Sequence, residues 1–265
     1  MGKDLVQRIN MGSGQKDLSL TEWHQRYRQQ GEWSKLIQHY LFNHAQLGFD
    51  DKILEVGSGT GAILELLSER GYTFLTGIDV DYHGLVFSRQ NRLPHLLVQA
   101  DGYHLPFQTR TFDASFCHYL LLWLEHPIHM LSEMRRVTKS GGWVMALAEP
   151  DYQSRIDYPP PLDRLGRIQT QALQDQGVDI QMGRKLRSLF HQVGLLDVQS
   201  GILGAQWASE HIGDTTEWFM LEEDLAGVLD EDEFSNYKGL NHIAWAEGER
   251  VLFVPTFYAM GKVPK

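Results

Sequence analysis

Beyond Lys52 the chain alternates short apolar runs with segments in which apolar residues recur every three or four positions. The short runs predict strands at 52–56 (KILEV), 74–79 (FLTGID), 95–100 (HLLVQA), 114–121 (ASFCHYLL) and 142–148 (GWVMALA). Ile63, Leu66 and Leu67 share one face of a helix that stops near Gly71, and Met130, Leu131, Met134 and Val137 mark another that ends at the Ser-Gly-Gly of 140–142. Strands that are apolar almost throughout, alternating with helices, imply a parallel sheet covered on both faces, a doubly wound α/β fold.

The flanks follow other rules. Residues 1–18 are polar and without periodicity, and are expected to be mobile. Ser19 and Glu22 have the spacing of a capping box, after which Trp33, Leu36, Ile37, Tyr40 and Leu41 fall on one helical face, so 19–50 reads as a helical cap. After the core at 51–150, the stretch DYQSRIDYPPPLDRLG breaks the alternation, and its three successive prolines are expected to forbid regular structure. A helix returns with Leu186, Leu189, Phe190 and Val193, followed by strand-like 196–207 and 250–261. The acidic segment between them, about 209–249, reads as a solvated face. The 265 residues form one domain on this reading, with 151–265 as a crossover and a closing strand pair.

Composition narrows the partners. Asp and Glu number 34 against 24 Lys and Arg, a formal net charge of -10, which excludes the electrostatic footprint of a nucleic-acid binder. The single cysteine, Cys117, excludes an internal disulfide and a cysteine-based zinc cluster, and no metal is expected. No apolar run has membrane-spanning length and no signal peptide is evident, so a soluble, cytoplasmic protein is expected.

The sharpest chemistry lies in ILEVGSGTGAI, residues 53–63. A parallel strand running into a glycine-rich turn and then a helix sets a ligand at the carboxyl end of the sheet. Gly57, Gly59 and Gly61 permit left-handed backbone and close approach, and the helix beyond supplies unpaired N–H groups. Asp79 ends the next strand about 20 residues on, where an acid commonly accepts from a ribose diol, so a nucleoside derivative is expected. The same turn also satisfies the dinucleotide pattern G-x-G-x-x-A, which leaves a nicotinamide-dependent oxidoreductase open. Against that stands Glu55, whose carboxylate would repel a pyrophosphate but suits the ammonium of an amino-acid tail. Asp101 in QADGYHLPF adds an acid after the third strand, placed to accept from an adenine amine.

Over residues 53–149 these features resemble the class I S-adenosylmethionine-dependent methyltransferases, in particular the small-molecule group of the ubiquinone and menaquinone biosynthesis type (type 11). The resemblance implies a Rossmann-like, seven-stranded sheet, parallel except for its last strand. It implies that Glu55, Gly57, Ser58, Gly59 and Gly61 surround the methionine portion of S-adenosylmethionine and that Asp79 holds the ribose, with Val80 against the adenine. Asp101 and Gly102 match the adenine-edge pair, and Cys117 and His118 match positions beside the amino-acid tail.

The implied reaction is displacement at a sulfonium methyl by an O, N or C atom of a small acceptor, in which alignment and exclusion of water matter most. His118, Tyr119 and Tyr152 are the candidate catalytic groups, and Asp151 and Tyr27 are further candidate bases. The stretch EPDYQSRIDYPP and the cap aromatics Trp23 and Tyr27 are expected to line the acceptor pocket, with Trp33 packing the cap onto the sheet. A cofactor-binding protein without catalysis would keep the same glycines and acids.

Overall fold

The computed structural model describes residues 19–91, 96–204 and 215–265. The expected mobile segment 1–18, the start of the third expected strand and the end of the 196–207 run lie outside the described residues.

The core is one seven-stranded sheet in the order β3-β2-β1-β4-β5-β9-β7. Its strands are β1 (Ile53–Val56), β2 (Leu75–Asp79), β3 (Leu96–Gln99), β4 (Phe112–Cys117), β5 (Thr138–Pro150), β7 (Leu196–Ile202) and β9 (Thr256–Lys262). β1 pairs in parallel with β2 on one side and β4 on the other, so the order reverses at β1 and opens a crevice at the carboxyl ends. β9 alone runs antiparallel, wedged between β5 and β7.

Helices cover both faces, as the unbroken apolar strands require. Helix α1 (Leu20–Trp33) and α2 (Lys35–His44) form the cap; α3 (Ala62–Glu69), α4 (Tyr82–Gln90) and α5 (Pro127–Val137) connect the core strands. Alternate residues of β1 serve opposite faces: Leu54 and Val56 pack with Ile78, Met130 and Leu131, while Ile53 packs with Leu64, Leu67, Phe116 and Met145. Ser19 caps α1 and Glu22 reaches back to its N–H at 2.8 Å, as the spacing predicts.

Several expectations are corrected. The cap helix breaks at Ser34, which turns Trp33 outward at 51% exposure; on α2, Ile37 and Leu41 are buried while Leu36 and Tyr40 face solvent. Trp33 therefore does not pack the cap on the sheet. β4 ends at Cys117 rather than at residue 121, because Tyr119 adopts a left-handed φ of 50° and Leu121–Trp123 form a short 3-10 turn. The prolines start a helix instead of forbidding one: Pro159 is the N-cap and Pro160 opens α6 (Pro160–Asp175), where a missing N–H costs nothing. Next comes α7 (Met182–Gln192).

The 250–261 run is two strands. β8 (Val251–Phe253) pairs with β6 (Ile156–Tyr158) in a separate ribbon, and Pro255 intervenes before β9. The acidic segment is not merely a solvated face: it contains α8 (Thr215–Asp224) and α9 (Glu231–Ala246), whose Trp218, Leu221, Tyr237 and Ala244 pack on Leu162 and Leu165 of α6 as a second small core. Its acids serve two purposes, with Asp230 capping α9 ahead of Glu231–Glu233 in the first turn and Asp224 buried. Among the described residues no helix is long and apolar enough to cross a membrane.

The cap meets the core at Gly31, where a Cβ would come within 2.5 Å of Leu66 Cδ1 and 2.8 Å of Ile63 Cδ1. Gly31→Val is expected to destabilise the protein by about 1–3 kcal/mol through overpacking, read as a lower urea midpoint with an unchanged slope.

Candidate functional site

The crevice at the strand ends is a cavity of about 650 Å³, within the range of small-molecule sites. Its floor is the turn after β1. Gly57, Gly59 and Gly61 all have positive φ (77°, 50° and 77°), Gly61 being the N-cap of α3. The amides of Gly57 and Ser58 both donate to the Ile78 carbonyl, at 2.8 and 2.9 Å, which ties the turn to β2. Asp79, at the end of β2, accepts from Gly59 N–H at 2.7 Å and Asp81 N–H at 2.8 Å. Burial raises its pKa, against the lowering by those two amides.

Glu55 is 1% exposed and faces this cavity from β1; among the described residues its Oε2 has no partner, and neither has Ser58 Oγ. Burial, and secondarily the charge of Asp79, raises the Glu55 carboxyl well above the ordinary carboxylate range. An unsatisfied buried carboxyl is costly, and a cationic ligand group that ionises it and bonds it removes that cost. Glu55, Gly57, Ser58, Gly59 and Asp79 all line the cavity.

Of the remaining expected cofactor positions, His118 also lines the cavity, whereas Gly61, Val80, Asp101, Gly102 and Cys117 lie outside that lining. Gly61 sits behind the turn, and the Val80 carbonyl accepts from Gln99 Nε2 at 3.1 Å. Asp101 accepts from Tyr103 N–H at 2.9 Å, and Gly102 lies close to Val56 and Met130, where a Cβ would come within 3.1 Å. Cys117 is fully buried, its thiol pushed up by burial, and packs in the core.

Opposite the glycine turn stands the turn after β4. Glu149, from β5, accepts from three successive amides: Leu120 and Leu121 at 2.9 Å on Oε1, and Leu122 at 3.2 Å on Oε2. This clamp supports the left-handed Tyr119, a strained position for a residue with a side chain. His118 and Tyr119 thereby line the cavity. His118 bonds Ser34 Oγ in the cap through Nε2 at 2.9 Å, and burial lowers its pKa to about 3, which keeps the imidazole neutral. Burial raises the hydroxyl pKa of Tyr119 and of Tyr152, which is placed by the short turn Tyr152–Ser154.

The far walls come from the flanks. Trp23, Arg26, Tyr27 and Gln30 form an i, i+3, i+4, i+7 face of α1 on the cavity, with Trp23 and Tyr27 stacked at 5.6 Å. Trp33, Asp151 and Tyr158 do not reach it; Asp151 is buried in an ion pair with Arg184. Sequence reasoning missed Arg26 and Gln30, although polar residues at i and i+4 between cap aromatics were a legible signal. It also missed Asp224, hidden within an acid-rich run, and Trp123, which lines the cavity while packing against the core.

Residues 54–146 match the family model described as a methyltransferase domain (Methyltransf_11). Among curated relatives, the malonyl-[acyl-carrier protein] O-methyltransferase of Erwinia pyrifoliae is 29% identical over 45% of this chain and 45% of its own. The demethylmenaquinone methyltransferase of Corynebacterium urealyticum is 34% identical over 51% of this chain and 55% of its own. The aligned part thus spans about half the length of these relatives.

Solved structures share the fold over nearly all of the chain. The YcgJ protein of Bacillus subtilis has a TM-score of 0.56 at 16% identity, covering 87% of this chain and 99% of that one. A Haemonchus contortus phosphoethanolamine N-methyltransferase, solved with S-adenosylhomocysteine, gives 0.56 at 11%, over 87% and 53%. The [4+2]-cyclase SpnF gives 0.55 at 17%, over 88% and 81%. The architecture is the Rossmann-like methyltransferase fold.

The Glu149 clamp has a pH signature. Burial raises its pKa from 4.5 to about 7, against the lowering by the three amides. The folded protein therefore holds a proton that the unfolded chain releases above 4.5, so stability present below that pH is lost as pH rises towards 7. This group is expected to account for a loss of roughly 2–3 kcal/mol across that window. Urea unfolding at pH 5 and pH 8 should show a smaller difference in Glu149→Gln than in the wild type.

Proposed function

We propose that this protein is an S-adenosylmethionine-dependent methyltransferase acting on a small-molecule acceptor. The observation that carries the reading is the buried, unpartnered Glu55 Oε2 beside a left-handed glycine turn and Asp79 in one cavity. A carboxyl there suits the ammonium of an amino-acid tail and opposes a pyrophosphate, which favours this cofactor over a nicotinamide dinucleotide. Asp79 offers its remaining lone pairs to a sugar diol. The cofactor would supply an activated methyl group, and the protein's own work is to bind, align and exclude water.

The two ends of the cavity divide the labour. The core at 51–150 holds the cofactor cradle, while the cap and the region after β5 supply Trp23, Arg26, Tyr152 and Asp224 to the acceptor end. Relatives named for methyl transfer to demethylmenaquinone and malonyl-carrier protein support an acceptor outside the nucleic acids, as does the net charge of -10. A cytoplasmic location belongs to the same proposal and is supported by the free, buried Cys117.

Asp79→Ala is expected to weaken S-adenosylhomocysteine binding by roughly 10- to 100-fold, the loss of one or two charge-assisted bonds, measured by titration calorimetry. Unchanged affinity would remove Asp79 from the cradle. Gly59→Val is expected to abolish the rise in melting temperature that S-adenosylmethionine gives the wild type. There the new side chain both resists a φ of 50° and meets Tyr27, 3.3 Å from its Cβ position. Mass spectrometry of the purified protein provides the direct test: a bound nicotinamide would overturn the reading.

A further inference from the structure

Asp224 stands apart from the cofactor cradle, at the end of α8 in the segment between β7 and β9. It is 8% exposed and lines the cavity. Its Oδ2 accepts from Gln169 Nε2 at 2.6 Å, and its Oδ1 has no protein partner among the described residues. Behind it runs a buried chain: Gln169 bonds Arg155, Arg155 pairs with Asp157, and Asp157 pairs with Arg250 at 2.9 Å. Such a network is an expensive way to fill space, since well-packed apolar side chains commonly stabilise as much or more. Here it orients a carboxyl and leaves one oxygen open to the cavity.

The charge around that oxygen selects a ligand. Asp175 and Glu223 also line the cavity, as does one guanidinium, Arg26; Glu223 and Arg26 both already have partners in the protein, and Arg26 and Arg155 both act on the Asp224 carboxyl. The cavity lining carries more carboxyls (Glu55, Asp79, Asp175, Glu223 and Asp224) than cations (Arg26), and Tyr119, Tyr152 and Trp123 give it aromatic walls. A carboxylate among aromatic rings is the chemistry that receives an ammonium.

We propose that the acceptor is a small primary or secondary amine, received as its ammonium by Asp224 Oδ1, and that Asp224 takes the proton that frees the nitrogen lone pair. The inference rests on the methyltransferase reading. The N–H bond breaks and its proton passes to Asp224; the freed pair forms the N–CH3 bond as the S–CH3 bond breaks, its pair returning to sulfur. Asp224 then releases the proton to water. Desolvation in the cavity lowers the pKa of the ammonium and eases the transfer.

The test uses the full chain saturated with S-adenosylhomocysteine and calorimetry with matched probes: butyl and 2-phenylethyl skeletons, each as amine, alcohol and carboxylate. For the better-bound skeleton the amine is expected to bind at least about tenfold tighter than its two partners, the gain of one charge-assisted contact. Asp224→Asn keeps the size and the bond from Gln169, and is expected to abolish that preference.

A second measurement needs no variant. Burial raises the Asp224 carboxyl to about 6, against Gln169, Arg26 and Arg155, with Tyr152 also facing it. Amine affinity of the wild type should fall as pH drops below about 6, while alcohol affinity does not. A preference for alcohol or carboxylate, no amine binding, an unchanged amine preference in Asp224→Asn, or amine affinity flat through that range would each overturn the proposal. Absence of S-adenosylhomocysteine binding would instead overturn the methyltransferase reading beneath it, so the two failures are distinguishable.

Discussion

Three consecutive backbone amides, those of Leu120, Leu121 and Leu122, turn towards a buried carboxylate instead of a sheet neighbour. At the reversal of strand order the chain must leave β4 without blocking the crevice, and its freed amides need an acceptor in a place where water is excluded. Glu149 provides both oxygens. The clamped turn then controls its surroundings: Leu120 packs where a Cβ on Gly57 would sit, 2.6 Å away, so the glycine turn and the β4 turn fix one another. His118, just before the clamp, reaches Ser34 and fastens the cap to the same point.

What the sequence revealed follows from the range of the forces involved. β1, β2 and the glycine turn were legible because an apolar run, left-handed glycines and a terminal acid are all local signals, and the core sheet matches them. The end of β4 was not, since Tyr119 bends only because Glu149 lies 29 residues from Leu120 in sequence and beside it in space. The cap stripe misled for a related reason: a five-residue face presumes one continuous helix, and the break at Ser34 rotates Trp33 off it. Pro159–Pro161 were read by their power to stop a helix, while their tolerance at its first turn governed.

The candidate site was legible in the same uneven way. Glu55, Gly57, Gly59 and Asp79 converge on the cavity, and so do His118, Tyr119 and Tyr152. Asp224 was invisible because its neighbours Glu222 and Glu223 make it look like one charge among many. Only the packing of Trp218 and Leu221 on α6 turns it inward. Charge runs conceal function when a single member of the run lies on the apolar face of its helix.

The place of β9 bears on how the sheet assembles. It lies between β5 and β7, yet among the described residues two helices and a strand of the second sheet separate it from β7 in sequence. Until it docks, β7 has no partner in the sheet and the outer edge of β5 is open, leaving strand edges available to other chains. Closing the sheet waits on contacts distant in sequence, which are slow to form. A fold whose ligand cavity draws walls from the segment between β7 and β9 thus completes its site and pairs the facing edges of β5 and β7 in the same late step.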